Sequence, residues 1–278
     1  MLNKKQKYLQ IALNSTITEA ELIINQLPKD ERIIIEVGTP LIKRYGVEAI
    51  KKIKSLWSSY LLKEFLLKEL NIHQDFKKFY PYIVADLETM NRDATEIEVV
   101  LEEEISHLKE FNITKDFKKF HPYVVADLKT MDRGATEVEI AFEGGANAAI
   151  VLGTAPIETI NTFIEKCKEL KMDSMVDMMN IDFSLEILRK LKTLPDVVIL
   201  HRGVDEENLN PESEIPYHEI QRIKENYDIL VAIAGGDTLH EIQRALFNDA
   251  DIIIVWKNFY KSSSEITNLA KKILKEIR

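Results

Sequence analysis

Short apolar, β-branched runs alternate along the chain with longer stretches whose apolar positions recur every three to four residues. The runs are residues 9–13, 33–37, 123–128, 148–152, 174–177, 197–200, 229–233 and 252–255. Runs of this length, apolar almost throughout and bounded by turn residues, predict strands buried on both faces. The stretches between them, among them 19–26, 47–56, 157–170, 184–192, 239–247 and 264–277, predict amphipathic helices. Strand followed by helix, eight times over, predicts a parallel sheet closed into a (β/α)8 TIM barrel, with a doubly wound open sheet as the alternative.

One stretch of this pattern occurs twice. Residues 67–100 recur as 108–141, offset by 41, with 23 of the 34 aligned positions identical. Two units are too few for a solenoid, which needs about three to bury a core. Counting both copies would give nine strands, one too many for the barrel, so one copy is expected outside the ring. The later copy runs through Gly144-Gly145 into the 148–152 strand, whereas the earlier reads Glu102-Glu103-Glu104 at the matching place. The expectation is therefore one barrel domain spanning 1–278, with 57–107 an inserted segment that holds a degenerate copy of 108–148. The chemistry differs between copies as well. The later one carries Asp127, Lys129, Asp132 and Gly134, where the earlier has Asp86, Glu88, Asn91 and Asp93.

Bulk composition narrows the function classes. At 278 residues and 45% apolar content the chain suffices for one large domain. A net charge of −9 argues against a nucleic-acid or anionic-membrane partner, because such a surface repels arrays of phosphates. The longest apolar runs, such as 252–256, fall far short of a membrane span, and the polar start Met1-Leu-Asn-Lys-Lys lacks the apolar centre of a secretion signal. A cytoplasmic protein is expected. Cys167 is the sole cysteine, so no intrachain disulfide can form, and no zinc-type Cys/His spacing occurs.

Candidate chemistry gathers at strand ends. Residues two apart on a strand face the same way, so Asp127 and Lys129 point together at the carboxyl end of their strand, where barrel enzymes place their sites. Asp132 follows in the loop. An ammonium flanked by carboxylates can hold a developing enolate or move a proton; the same group also reads as a solvated ion-pair cluster. Glu36 closes the run Ile33-Ile34-Ile35 and, with Asp127, would supply two hard oxygen ligands of the kind Mg2+ takes, or else is simply a strand-end acid in water. His201 ends the 197–200 strand and could serve as acid or base, whereas His73, His107, His121, His218 and His240 fall in repeat flanks or helices. His-Glu-Ile-Gln-Arg occurs at both His218 and His240, but Arg222 and Arg244 stand where a second zinc ligand would be required. Gly235 and Gly236 follow the seventh strand and Lys257 the eighth, the region where barrels bind phosphate.

Taken together, these segments resemble a known family. Leu9-Gln-Ile-Ala-Leu13, Ile35-Glu36-Val-Gly-Thr-Pro-Leu-Ile42, Val125-Ala-Asp127-Leu-Lys129-Thr-Met-Asp132, Val176-Asp-Met-Met-Asn180, His201-Arg-Gly-Val-Asp205 and Ala232-Ile-Ala-Gly-Gly236 are similar to the 3-hexulose-6-phosphate synthase family of the orotidine 5′-monophosphate decarboxylase superfamily. The likeness covers nearly the whole chain apart from about 57–107. It implies a Mg2+-dependent aldol reaction that joins formaldehyde to a phosphorylated ketose, D-ribulose 5-phosphate, giving D-arabino-hex-3-ulose 6-phosphate, or the reverse. It further implies Glu36 and Asp127 as metal ligands, Lys129 as electrostatic or proton-transfer group, and His201 as proton donor or substrate contact. Asp132 would reach into a neighbour's site across a homodimer interface, and Gly235, Gly236 and Lys257 would hold the phosphate. The related 3-keto-L-gulonate-6-phosphate decarboxylase implies decarboxylation as the alternative, although Val204 departs from that enzyme's His-Arg-x-Arg-Asp pattern. Two further departures, Asn14 for an aspartate at the end of the first strand and Trp256-Lys257 for Gly-Arg after the eighth, are what a non-catalytic sugar-phosphate-binding barrel would show.

Overall fold

The apolar runs pair side by side in chain order. The computed structural model describes residues 1–69, 122–210, 212–236, 238–261 and 265–277, with the side chains of 62–69 and 261 outside the description. The strands are β1 (Tyr8–Leu13), β2 (Ile33–Val37), β3 (Val124–Thr130), β4 (Ala148–Leu152), β5 (Asp173–Asp177), β6 (Val197–His201), β7 (Leu230–Ala234) and β8 (Ile252–Val255). All neighbours are parallel, and β1 pairs with β8 at Tyr8 and Ile252, which closes the ring. The open-sheet alternative is thereby excluded.

Period-two alternation sorts these strands into two cores. Leu9, Ile11, Leu13, Ile33, Ile35, Val37, Val124 and Ala126 face outward into the shell between sheet and helices. Tyr8, Ala12, Ile34, Val125, Ile150, Met175, Ile199 and Ile254 face inward and fill the barrel. A slip of one residue in any strand would exchange these sets, so the pattern that predicts the strands also fixes their register.

Helices cover the outside: α1 (Ile17–Ile24), α2 (Thr39–Tyr45), α3 (Val47–Glu69), α4 (Gly134–Glu143), α5 (Ile157–Glu169), α6 (Ser184–Leu188), α7 (Val204–Leu209), α8 (Tyr217–Asn226), α9 (Leu239–Phe247), α10 (Lys257–Lys261) and α11 (Ile266–Glu276). Local chemistry sets several starts. Thr16 caps α1 by accepting from the Glu19 amide, and Thr238 with Glu241 makes a reciprocal capping pair on α9. Among the described residues no helix is long and apolar enough to cross a membrane.

The later of the two repeated segments supplies β3, and steric room explains why. At Gly134, α4 approaches α5 so closely that a Cβ would lie 2.6 Å from the Thr159 carbonyl oxygen and 3.0 Å from Phe163. At Gly144 a Cβ would lie 2.8 Å from the Ile50 side chain of α3. The earlier copy offers Asp93 and Glu103 at these positions. That copy, and with it most of the expected insertion 57–107, lies outside the described residues. What is described of the stretch belongs to the barrel: α3 continues through it to Glu69, and Trp57 and Leu61 are buried in the outer core.

The close approach of α4 and α5 predicts that Gly134→Asp, which installs the earlier copy's residue, lowers the unfolding free energy by roughly 3 kcal/mol through overpacking and burial of an acid. Asp132→Asn, which does the same at an exposed position, should change it by less than about 0.5 kcal/mol. Urea unfolding of both variants reads this directly; equal midpoints would refute the steric account.

Candidate active site

Four inward positions at the carboxyl ends of the strands are ionisable rather than apolar. Glu36 stands two residues after Ile34, Asp127 two after Val125, Asp177 two after Met175 and His201 two after Ile199. Alternation therefore carries each of them into the mouth of the barrel, on top of the inner apolar layers. There they line a cavity of about 480 Å3, together with Lys129, Asn14, Gly235 and Lys257.

Lys129 reaches the mouth by an irregularity. The β3–β4 register shifts between Ala126 and Thr130, and Lys129 has a left-handed φ of 46°. A bulge at a strand end re-aims a side chain, and a non-glycine residue in this conformation is held there by its contacts. The contacts are strong ones: its Nζ lies 2.6 Å from Asp177 Oδ2 and 3.4 Å from Asp127 Oδ2.

Asp177, 1% exposed, is the hub. Its Oδ2 also lies 2.8 Å from His201 Nδ1, and its Oδ1 accepts from the Met179 amide at 2.9 Å. Burial would push this carboxyl up, but His201 and then Lys129 outweigh it and hold its pKa at about 2. His201 shows the converse balance: burial pulls its imidazolium down, and the charge and hydrogen bond of Asp177 overcome that and raise it above the ordinary value. Lys129 likewise is raised, its burial outweighed by Asp127 and Asp177, so it stays an ammonium at every ordinary pH.

On the other side of Lys129, Glu36 accepts a hydrogen bond from Gln10 Nε2 at 2.5 Å. The Thr39 hydroxyl lies 2.9 Å from Asp127 Oδ2 and 2.7 Å from the Asp127 carbonyl oxygen, which leaves Asp127 Oδ1 buried without a partner. Burial and the neighbouring Asp127 charge push Glu36 above the usual carboxylate range. Two buried acids in mutual repulsion, one with an unpaired oxygen, fit a hard divalent cation. Among the described residues no group of three or more His, Cys, Asp or Glu side chains is gathered for a metal. A cation here would rest on Glu36 and Asp127 and complete its shell with other oxygens, as Mg2+ commonly does.

The remaining expected residues divide. Gly235 lines the cavity, and its φ of +90° and the 2.2 Å that would separate a Cβ from the Arg202 carbonyl oxygen leave room for nothing larger. Gly236 sits behind it, against Ile215 and Glu241, outside the lining. Lys257 lines the cavity ion-paired to Glu207, with its Nζ 6.0 Å from the Trp256 ring. Asp132 is exposed in the loop after β3 and does not line the cavity of its own chain. Asn14 does, with its Oδ1 over Gly38 at a spot where any Cβ would sit 1.7 Å away.

Sequence reasoning assigned no role to Asp177, Gln10, Thr39 or Glu207. For Asp177 the signal was present, since it ends β5 as His201 ends β6. For Gln10 it was an amide within a wholly apolar run, which must find a partner when buried. Thr39 reads as an ordinary residue opening a helix, and Glu207 as one of three successive acids.

The pattern of the family described as orotidine 5′-phosphate decarboxylase / HUMPS matches residues 84–272. Curated relatives include the bifunctional enzyme Fae/Hps of Methanocaldococcus jannaschii, 32% identical over 256 residues, covering 92% of this chain and 48% of the relative. The Methanocella arvoryzae protein of the same name is 29% identical over 275 residues, covering 98% of this chain and 53% of the relative. The chain thus spans about half the length of the curated relatives it matches. In fold it is similar to 3-hexulose-6-phosphate synthase from Salmonella typhimurium, with TM-score 0.66, 24% identity, and 97% and 98% of the two chains covered. It is also similar to the structure titled KGPDC from Streptococcus mutans, with TM-score 0.60, 14% identity, and 98% and 97% covered.

The hub predicts a pH signature. His201 should titrate above the ordinary histidine value of 6.5, and Asp177→Asn should move its midpoint downward, as read by NMR of the imidazole. Because the folded value is raised, the pair contributes stability that is complete below 6.5 and lost as pH rises through the folded midpoint. Asp177→Asn should abolish that part of the pH dependence. A midpoint indifferent to the substitution would refute the assignment.

Proposed function

We propose that this chain, which belongs to the orotidine 5′-phosphate decarboxylase / HUMPS family, is a Mg2+-dependent aldehyde-lyase interconverting D-arabino-hex-3-ulose 6-phosphate with D-ribulose 5-phosphate and formaldehyde. The observation that carries this is Lys129: a permanent ammonium held 2.6 Å from Asp177 and 3.4 Å from Asp127, in one cavity with Glu36 and His201. The names of the relatives, Hps in the bifunctional enzymes and 3-hexulose-6-phosphate synthase in the Salmonella structure, support it.

In the cleavage direction, the C1–C2 bond of the hexulose breaks as its C1 hydroxyl loses a proton and departs as formaldehyde. The bonding pair moves toward the C3 carbonyl, giving an enediolate that takes a proton at C2 and becomes ribulose 5-phosphate. Lys129 faces the developing negative charge and stabilises it without transferring its proton, since the two carboxylates keep it ionised. His201, oriented by Asp177 through Nδ1 and lining the cavity, moves the proton. Mg2+ held by Glu36 and Asp127 would supply Lewis-acid polarisation of the ketose oxygens. Gly235 and Lys257 receive the phosphoryl group at the opposite end, with Gly236 shaping the turn behind them. The protein acts in the cytoplasm as a homodimer, in which the exposed Met131-Asp132 loop covers the partner's cavity and Asp132 completes the site there.

Incubated with Mg2+ and ribulose 5-phosphate, the protein should consume formaldehyde, and chelation by EDTA should stop it. Lys129→Ala should lower kcat by roughly a thousandfold. Failure to consume formaldehyde with any divalent cation would overturn the proposal.

A further inference from the structure

The cationic end of the cavity is neutralised from within. Lys257 is ion-paired with Glu207, and Arg202 lies 3.0 Å from Glu241 and 3.8 Å from Glu207. Both cations and Glu207 line the same cavity as Gly235. The two acids are differently placed. Glu241 accepts from the Thr238 amide and hydroxyl at 3.0 and 2.7 Å, so it is part of the frame that starts α9. The Glu207 side chain, among the described residues, has only Lys257 and Arg202 as ion partners, and it projects from α7, a six-residue helix with no buried residue.

A carboxylate so placed competes with any anion brought to Lys257. A phosphoryl group that arrived with Glu207 still in position would share one ammonium with it and stand against a like charge, an arrangement that costs affinity. The helix bearing Glu207 has no core anchor to hold it in place.

We propose that Glu207 is a specificity-determining residue: an internal counter-ion that must release Lys257 before a phosphoryl group can take it. The proposal rests on reading the cavity as a sugar-phosphate site. A ligand with only the phosphate has nothing to offset the displacement, so inorganic phosphate binds poorly. A phosphorylated ketose also gains contacts at the Glu36, Asp127 and Lys129 end, and these offset it. Glu207 thereby discriminates against small free anions in favour of ligands that span the cavity.

Calorimetric titration of the full chain with inorganic phosphate tests this. Glu207→Gln, and Glu207→Ala as a second variant, should bind phosphate about tenfold more tightly than the parent, the scale of one lost like-charge contact. In a Lys257→Met background the same substitution should gain less than about twofold, since the competition runs through that ammonium. The KM for ribulose 5-phosphate should change less than the phosphate Kd. Unchanged or weaker phosphate binding in both Glu207 variants, no detectable binding in any variant, or an undiminished gain in the Lys257→Met background would each overturn the proposal. Tighter phosphate binding in variants that never consume formaldehyde would leave the counter-ion role standing and sink the aldol reaction; formaldehyde consumption with unaltered phosphate binding would do the reverse.

Discussion

One oxygen atom organises the mouth of this barrel. Asp177 Oδ2 holds the Lys129 ammonium at 2.6 Å and the His201 imidazole at 2.8 Å, on a side chain that is 1% exposed. A buried carboxylate without cations would protonate; with two partners it stays ionised, and in turn it favours the ammonium and the protonated form of the imidazole. The lysine's left-handed backbone, the orientation of the histidine and the ammonium set beside Asp127 are all tied to this atom. It can serve because β5 and β6 are in register at Asp177 and Ile199, which brings the ends of β3, β5 and β6 around the same space.

The sheet was legible because its signal is redundant. Each strand is a short apolar run, buried on both faces, and eight of them in alternation with helices admit few arrangements. The third strand in the ring was legible from the Gly144-Gly145 turn that carries the later copy into the next strand; the structure adds that a Cβ at Gly134 would meet the Thr159 carbonyl. Short helices were harder. α7 and α10 are six and five residues long, too short for a period of 3.6 to declare itself.

Within the site, residues that end strands could be read, whereas residues that act on them could not. Glu36, Asp127, Lys129 and His201 each interrupt or close an apolar run; alternation sends Glu36, Asp127 and His201 inward, and the irregularity at the end of β3 brings Lys129 to them. Thr39 belongs to α2 in sequence and to Asp127 in space, 88 positions away. Glu207 sits among Asp205, Glu206 and Glu207, and only the fold reveals which of the three meets Lys257. Such pairings are made by topology, and no local spacing encodes them.

The connection from α3 to β3 belongs to a particular face of the barrel. In a (β/α)8 ring each helix runs back against its strand, so the junction from helix to the next strand opens on the amino-terminal face, the side that serves stability rather than chemistry. Pro122, two residues before β3, lies there, its carbonyl oxygen accepting from Lys54 at 2.7 Å. A connection from a helix to the next strand, that between α3 and β3 included, is thus made at the floor of the vessel. Changes of length at such joints leave the residues of the rim where the strands put them.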